Sequence, residues 1–187
     1  MTFPSIRFKQ PRGNNDPSAR RAFANLSGAI NQATSEILDA VSNASNYYSR
    51  IYRSSDVSVG PFGIVSWVGI SWNAETSDSP GWHDNATNPT RVTVDQTGMY
   101  TVTGMISWDG TASTPVATRI QVNGTTDYFV EHNVVSVSTY GTTFTLAMSL
   151  TAGDYFEVAV RQGAGVGTAT VKGGERLTWL FTQYLGA

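Results

Sequence analysis

Three carboxylates, Asp84, Asp109 and Glu175, fall in stretches rich in turn residues. Glycoside hydrolysis would need two such groups held roughly 5 to 9 Å apart, and nothing in their spacing raises them above solvated loop charges. The two histidines, His83 and His132, are far apart in the chain. A metal shared between them, or held on a symmetry axis by copies of one, would have to recruit carboxylates because the chain has no cysteine. A neutral histidine on a strand is more often a packing residue, so no metal and no cofactor are expected. The run Gly163-Ala164-Gly165-Val166-Gly167 lacks the Gly-Lys-Ser/Thr of a phosphate loop and the helix that should follow it; it reads as a hairpin loop. Gly69-Ile70-Ser71-Trp72-Asn73 lacks the second glycine of a nucleophile elbow and reads as a strand end. The residues that could do chemistry therefore point away from an enzyme.

The elements that would position these groups follow from composition. With 187 residues, 40% of them hydrophobic and 14% charged, the chain can bury one core and carry an appendage. No apolar run approaches the roughly 20 residues of a membrane span, and the first residues lack the apolar stretch of a signal peptide. A soluble, complete chain without membrane insertion is expected. Residues 1–21 carry five basic side chains against Asp16, a local +4 that leaves −6 on the rest of a chain of net charge −2. Pro4, Pro11, Gly13 and Asn14-Asn15 interrupt any periodicity in residues 1–16, which reads as an extended basic arm whose Arg7, Lys9 and Arg12 could dock on a protein surface. Without basic-aromatic interleaving or a recognition helix, nucleic acid is not expected as a partner.

Asp16 followed by Pro17 is a helix start, since the carboxylate can accept an orphan N–H and proline at the first helical position wastes no donor. From there Phe23, Leu26, Ile30, Ala33, Ile37, Ala40, Ala44, Tyr47 and Ile51 step by three and four, an a/d seam over about four heptads. Residues 17–53 are expected to form a coiled-coil stalk roughly 55 Å long. The alternative is a lone helix lying on a globular core, which would want a wider apolar stripe.

Residues 54–187 change character to Thr, Val, Ser, Gly and aromatics with recurring turn residues, the signature of an all-β sandwich. Candidate strands are 63–72, 90–94, 98–108, 117–122, 128–137, 141–150, 154–161 and 176–184. Tyr100, Val102, Gly104, Ile106 and Trp108 share one face by alternation. Asn123-Gly124 is a type I′ hairpin signal. Eight antiparallel strands fit a two-sheet jelly roll.

The stretches Pro89-Thr90-Arg91-Val92-Thr93-Val94, Gly98-Met99-Tyr100-Thr101-Val102-Thr103-Gly104, Ile120-Gln121-Val122-Asn123-Gly124, Leu150-Thr151-Ala152-Gly153-Asp154-Tyr155 and Leu177-Thr178-Trp179-Leu180-Phe181 resemble, in order and spacing, the tumour necrosis factor-like jelly roll of complement globular heads and bacteriophage fibre tips. The resemblance covers roughly residues 60–187. It implies a homotrimer packed about a threefold axis, often carried on a trimeric stalk. Collagen repeats are absent, and the predicted coiled coil stands in their place; this favours a viral or bacterial assembly protein over an animal immune role. On this reading the chain is a structural virion protein, assembled in the host cytoplasm and exposed on the particle. Its arm would attach to capsid, neck or tail proteins and its tip would meet a host surface glycan or protein. The alternatives are a capsid decoration or cement protein without a receptor, and a polysaccharide-degrading fibre, for which the chain is small.

In a meander-like strand order the connections alternate between the stalk end and the far end. If the first strand runs away from the stalk, residues 73–89, 109–116, 138–140 and 162–175 lie at the far end. Long loops on one end of a rigid scaffold are the expected place for recognition. Trp82, His83, Trp108, Asp109 and Tyr140 lie in or beside them and form the expected receptor-facing set, aromatics and polar groups suited to sugar rings. The competing reading buries Trp82 and Trp108 as caps of the core, because tryptophan is highly buried on average.

Overall fold

The computed structural model describes residues 16–59, 67–110, 116–132, 140–163 and 169–187. The arm residues Arg7, Lys9 and Arg12 lie outside them. The chain divides into two units, Met1–Asn46 and Tyr47–Ala187.

The first unit holds one helix, α1 (Pro17–Asn46). It begins where the Asp16-Pro17 pair predicts: Asp16 Oδ1 accepts the Ser18 N–H at 2.9 Å, and these hydrogen bonds hold the carboxyl below the usual carboxylate range. Along the seam Phe23 and Ile30 are half-buried, whereas Ala33 is exposed and Leu26 and Ile37 are 60% and 63% exposed. An apolar stripe is thus left open to a partner.

The seam stops short of residue 53. After Asn46 the chain becomes a strand, β1 (Tyr48–Tyr52), so Tyr47 and Ile51 do not belong to the stalk. Ile51 is 1% exposed in the core of the second unit. The physical reason lies in residues 47–52, Tyr-Tyr-Ser-Arg-Ile-Tyr: aromatic and β-branched residues favour a pleated, half-buried surface, and Ser49 and Ile51 point inward while Tyr48, Arg50 and Tyr52 do not.

The second unit continues with β2 (Val57–Val59), β3 (Val68–Gly69), β4 (Ala74–Asp78), β5 (His83–Asp84), β6 (Asn88–Thr93), β7 (Gly98–Gly110), β8 (Val116–Val122), β9 (Thr126–His132), β10 (Tyr140–Leu150), β11 (Tyr155–Gln162), β12 (Ala169–Val171) and β13 (Trp179–Gly186). Among the described residues these make two antiparallel sheets, a mainly β sandwich. In one, β4, β1, β13 and β7 lie side by side, β10 flanks β7 on its other edge, and β12 and β2 extend the far end of β7. The other runs β5-β6-β11-β8-β9 with β3 beside β11. Of the eight expected strands, those at 90–94, 98–108, 117–122, 141–150 and 154–161 match β6, β7, β8, β10 and β11 to within about two residues. The expected strand 63–72 reduces to Val68–Gly69 among the described residues, while β1, β2, β4, β5 and β12 went unpredicted.

The inward rows meet in one core: Ile51, Tyr100, Val102, Ile106, Met148 and Leu180 from the first sheet, Val92, Ile120, Phe156, Val158 and Val160 from the second. Gly104 is the one small residue in the β7 row because a Cβ there would sit 2.5 Å from the ring of Phe144, its partner across β10. The β8–β9 hairpin turns on Asn123 and Gly124, both with positive φ (51° and 68°), as a type I′ turn demands. Asn123 also ties two turns together, its amide donating to Asp154 at 2.8 Å and its Oδ1 accepting the Tyr155 N–H at 3.0 Å.

Because Ile51 is a core residue of a strand, Ile51→Ala is expected to cost about 2 to 5 kcal/mol. It should lower the thermal midpoint of the sandwich while leaving the helical signal of α1 intact in circular dichroism; equal loss of helicity would put residue 51 back in the stalk.

Candidate functional site

The outward rows of the first sheet make a continuous face. Pairing aligns Tyr48 with Gln183 and Thr101, Arg50 with Phe181 and Thr103, and Tyr52 with Trp179 and Met105, and β10 extends the rows through Ala147, Thr145 and Thr143. Alternation places these residues here for the same reason that it sends Ile51, Leu180 and Val102 into the core. Tyr48 and Phe181 stand with ring centres 5.6 Å apart. With Trp179, Arg50, Thr103 and the β4 residues Thr76 and Ser77 they line an open groove of about 540 Å³. Met99 and Leu185, at one end of the face, are 41% and 57% exposed.

The electrostatics of this face are sparse. Arg50 lies 5.7 Å from the centre of the Trp179 ring and 3.9 Å from Glu175 Oε1, and Thr76 donates to the same carboxylate oxygen at 3.1 Å. The outward face of the second sheet is different: Arg91 pairs with Glu157 at 3.4 Å and Arg119 with Asp127 at 3.3 Å. Arg119 and Arg161 both lie within 5 Å of the Trp67 ring centre, at 4.6 and 4.7 Å. One face is laced with charge and suits water; the other is aromatic and methionine-rich, the composition of a surface that is covered in use. What such a face can do chemically is associate.

The residues expected to face a receptor are mostly withdrawn from solvent. Trp82 is 3% exposed; its Nε1 donates to Asp95 Oδ1 at 2.7 Å, and its ring packs edge-on against Tyr47 and Tyr100. It also lies at the opposite end from the one expected. Residues 73–89 are not one far-end loop, because β4 runs antiparallel to β1 and returns the chain to the end where Tyr47 enters. His83 is buried, with Nδ1 2.9 Å from the Arg91 carbonyl and Nε2 3.2 and 2.9 Å from the Trp72 carbonyl and Asn85 Oδ1. Both ring nitrogens therefore face oxygens of the surrounding chain. Trp108 is 3% exposed in β7. Asp109 and Tyr140 remain half-buried at the far end, Tyr140 in register with Trp108 and Asp109 with Thr170.

The three carboxylates considered for hydrolysis sit on separate elements. Asp84 accepts the backbone N–H of Ala86 and Thr87 at 2.8 and 3.1 Å, which holds it below the usual carboxylate range. Asp109 lies in the β7–β12 ladder, and Glu175 is held by Arg50 and Thr76, two residues that line the aromatic groove. Among the described residues no group of three His, Asp or Glu side chains could hold a metal. The residues that sequence reasoning missed are Tyr48, Arg50, Trp179 and Phe181. Their signal was present as the alternation of 48, 50 and 52 against 49 and 51, and of 179, 181 and 183 against 180 and 182.

No family model and no curated protein matches the sequence. Solved structures do. The chain is similar to the Eiger TNF of S. frugiperda at 17% identity, over 74% of this chain and 92% of that one, with a TM-score of 0.53. It is likewise similar to the globular domain of zebrafish complement 1qA (12% identity, 75% and 97% covered, TM-score 0.52) and to murine APRIL (11%, 74% and 98%, 0.52). The fold is a TNF-like and C1q-like jelly roll. At these identities the likeness is one of architecture, and it agrees with the two antiparallel sheets and with the expectation drawn from the strand motifs.

If Trp82 is a core residue, Trp82→Ala should cost about 3 to 5 kcal/mol and lower the thermal midpoint of the sandwich. A midpoint equal to that of the unmodified chain would return Trp82 to the surface.

Proposed function

We propose that the chain is a non-enzymatic structural protein of a bacteriophage particle, a homotrimer that associates through its helices and through its jelly-roll heads. The observation that carries the self-association is the aromatic outer face of the first sheet, Tyr48, Trp179 and Phe181 with Met99 and Met105, in a chain whose helix also leaves Leu26 and Ile37 uncovered. Two apolar surfaces on consecutive units of one chain reinforce each other, because association through either raises the effective concentration for the other. Three copies rather than two follow from the TNF-like and C1q-like fold, whose members are typically homotrimers.

The virion assignment is our reading of the strand motifs' resemblance to phage fibre tips, of a sequence without collagen repeats, and of a basic arm suited to docking on other virion proteins. In the fibre reading, Asp109 and Tyr140 are what remains of the expected tip for a host glycan or protein, and three weak sites on one head gain avidity. Burial of Trp82, His83 and Trp108 removes most of that tip from solvent, and this favours the second reading, a decoration or cement protein that clamps capsid subunits without a receptor. Cryo-electron microscopy of the particle that carries the chain separates them: threefold density projecting from a tail supports the fibre, and density lying flat across capsid subunits supports cement.

Analytical ultracentrifugation of the full chain at micromolar concentration is expected to give three times its 20.1 kDa mass. Phe181→Asp should shift it towards monomer, and Ile30→Asp with Ile37→Asp should weaken assembly and lower helicity. A monomeric unmodified chain would contradict the reading.

A further inference from the structure

Tyr47 is the sole residue between α1, which ends at Asn46, and β1, which begins at Tyr48. Any load carried by the helix therefore enters the sandwich through this residue. Its hydroxyl donates to Asp95 Oδ2, while the other oxygen of the same carboxylate accepts from Trp82 Nε1 at 2.7 Å. The Tyr47 ring meets Trp82 edge-on at 5.3 Å and Tyr184 at 6.0 Å, and its carbonyl accepts the Tyr184 N–H at 3.2 Å. Behind them Tyr100 donates to the Gln96 carbonyl at 2.7 Å and packs 5.4 Å from Trp82 and 5.2 Å from Tyr184. Two aromatic side chains, Tyr47 and Trp82, thus share one carboxylate, and Tyr100 and Tyr184 pack against them where the chain enters the head.

Beyond Tyr47, β1 is hydrogen-bonded on both edges, to β13 over five residue pairs and to β4 over four. Tyr48 pairs with Gln183, so the entry point and the C-terminal end of β13 lie at the same end of the sheet. Tension between the helix and the far end of the sandwich drags β1 along its own axis and loads its ladder bonds together. Tension between the helix and the end of β13 opens the β1–β13 ladder one bond at a time. In both geometries the contacts of Tyr47 stand before the first ladder bond.

We propose that Tyr47, Asp95 and Trp82 form a load-bearing latch that keeps β1 seated in the sandwich when force arrives through the helix. The latch goes beyond the fibre and cement readings and serves either, since both hang a rigid head on a stalk.

The chain has no cysteine, so handles for single-molecule force spectroscopy can be placed uniquely on the full chain. Ala22→Cys on α1 is combined either with Gly110→Cys at the far end of β7, where a side chain meets open space, or with Leu185→Cys near the end of β13. At constant force, Tyr47→Phe is expected to shorten the lifetime of the first rupture about tenfold, the loss of one hydrogen bond to a charged acceptor. Trp82→Phe, which keeps a ring but removes the Nε1 donor, should shorten it by a smaller factor. Val92→Ala, a core change in the second sheet, controls for general stability and should leave the first rupture nearly unchanged. Equal lifetimes for Tyr47→Phe and the unmodified chain would overturn the latch, as would a loss in Val92→Ala as large as that in Tyr47→Phe.

Discussion

The strand Tyr48–Tyr52 is paired on both edges, buries Ser49 and Ile51 on one side and presents Tyr48, Arg50 and Tyr52 on the other. The rest of the structure depends on this double pairing. It fixes where the helix must stop, because a residue committed to two ladders cannot also continue an α-helical seam. It fixes the register of β13, and so sends Leu180 to the core and Trp179 and Phe181 outward beside Arg50. It also brings β4 back to the entry end, which carries Trp82 away from the far end and onto Asp95. A one-residue slip of β1 would exchange its two faces and undo both the core and the aromatic surface.

The two outward sheet faces then divide the work. The second sheet carries Arg91–Glu157 and Arg119–Asp127 across its strands, with Trp67 beside Arg119 and Arg161, a pattern at home in water. The first sheet offers aromatic rings, methionines and threonines with one loose ion pair at the rim. Apolar side chains in contiguous rows are costly to leave in water, at roughly 25 cal/mol for each Å² exposed. The polar groups on this face, Arg50, Thr76 and Glu175, are tied to one another at its edge, which leaves the aromatic rows as the part that association would cover.

Much of the fold was legible because the long strands alternate over most of their length. Tyr100, Val102 and Ile106 announce β7, and Asn123-Gly124 announces the β8–β9 hairpin through a backbone requirement that few other pairs meet. The helix start was equally plain, since Asp16 and Pro17 each solve a local problem of the first turn. The boundary at Asn46 was not legible from periodicity: Ala44, Tyr47 and Ile51 continue the three-four spacing by coincidence, and only pairing with β13 and β4 decides for strand. Short strands such as β2, β5 and β12 have too few residues to show a period. Three of the five residues expected to face a receptor, Trp82, His83 and Trp108, are buried for a related reason. Placing Trp82 and His83 in a loop took residues 73–89 as one connection, whereas tertiary pairing turned part of that segment into strands and buried both side chains, and Trp108, at the end of the expected strand 98–108, is buried within β7. Asp109 and Tyr140 stayed at the far end because they sit at the tips of β7 and β10, whose directions were read correctly.

The central claim is that the aromatic face of the first sheet is covered by other copies of the chain. Hydroxyl-radical footprinting of the full chain reads this directly, because oxidation of methionine and tryptophan follows their accessibility. At micromolar concentration Met99, Met105 and Trp179 should be protected well beyond the exposure they have on a single chain, where Met99 is 41% exposed, and the protection should fade on dilution. Oxidation of these three side chains at single-chain rates, unchanged by concentration, would contradict the account.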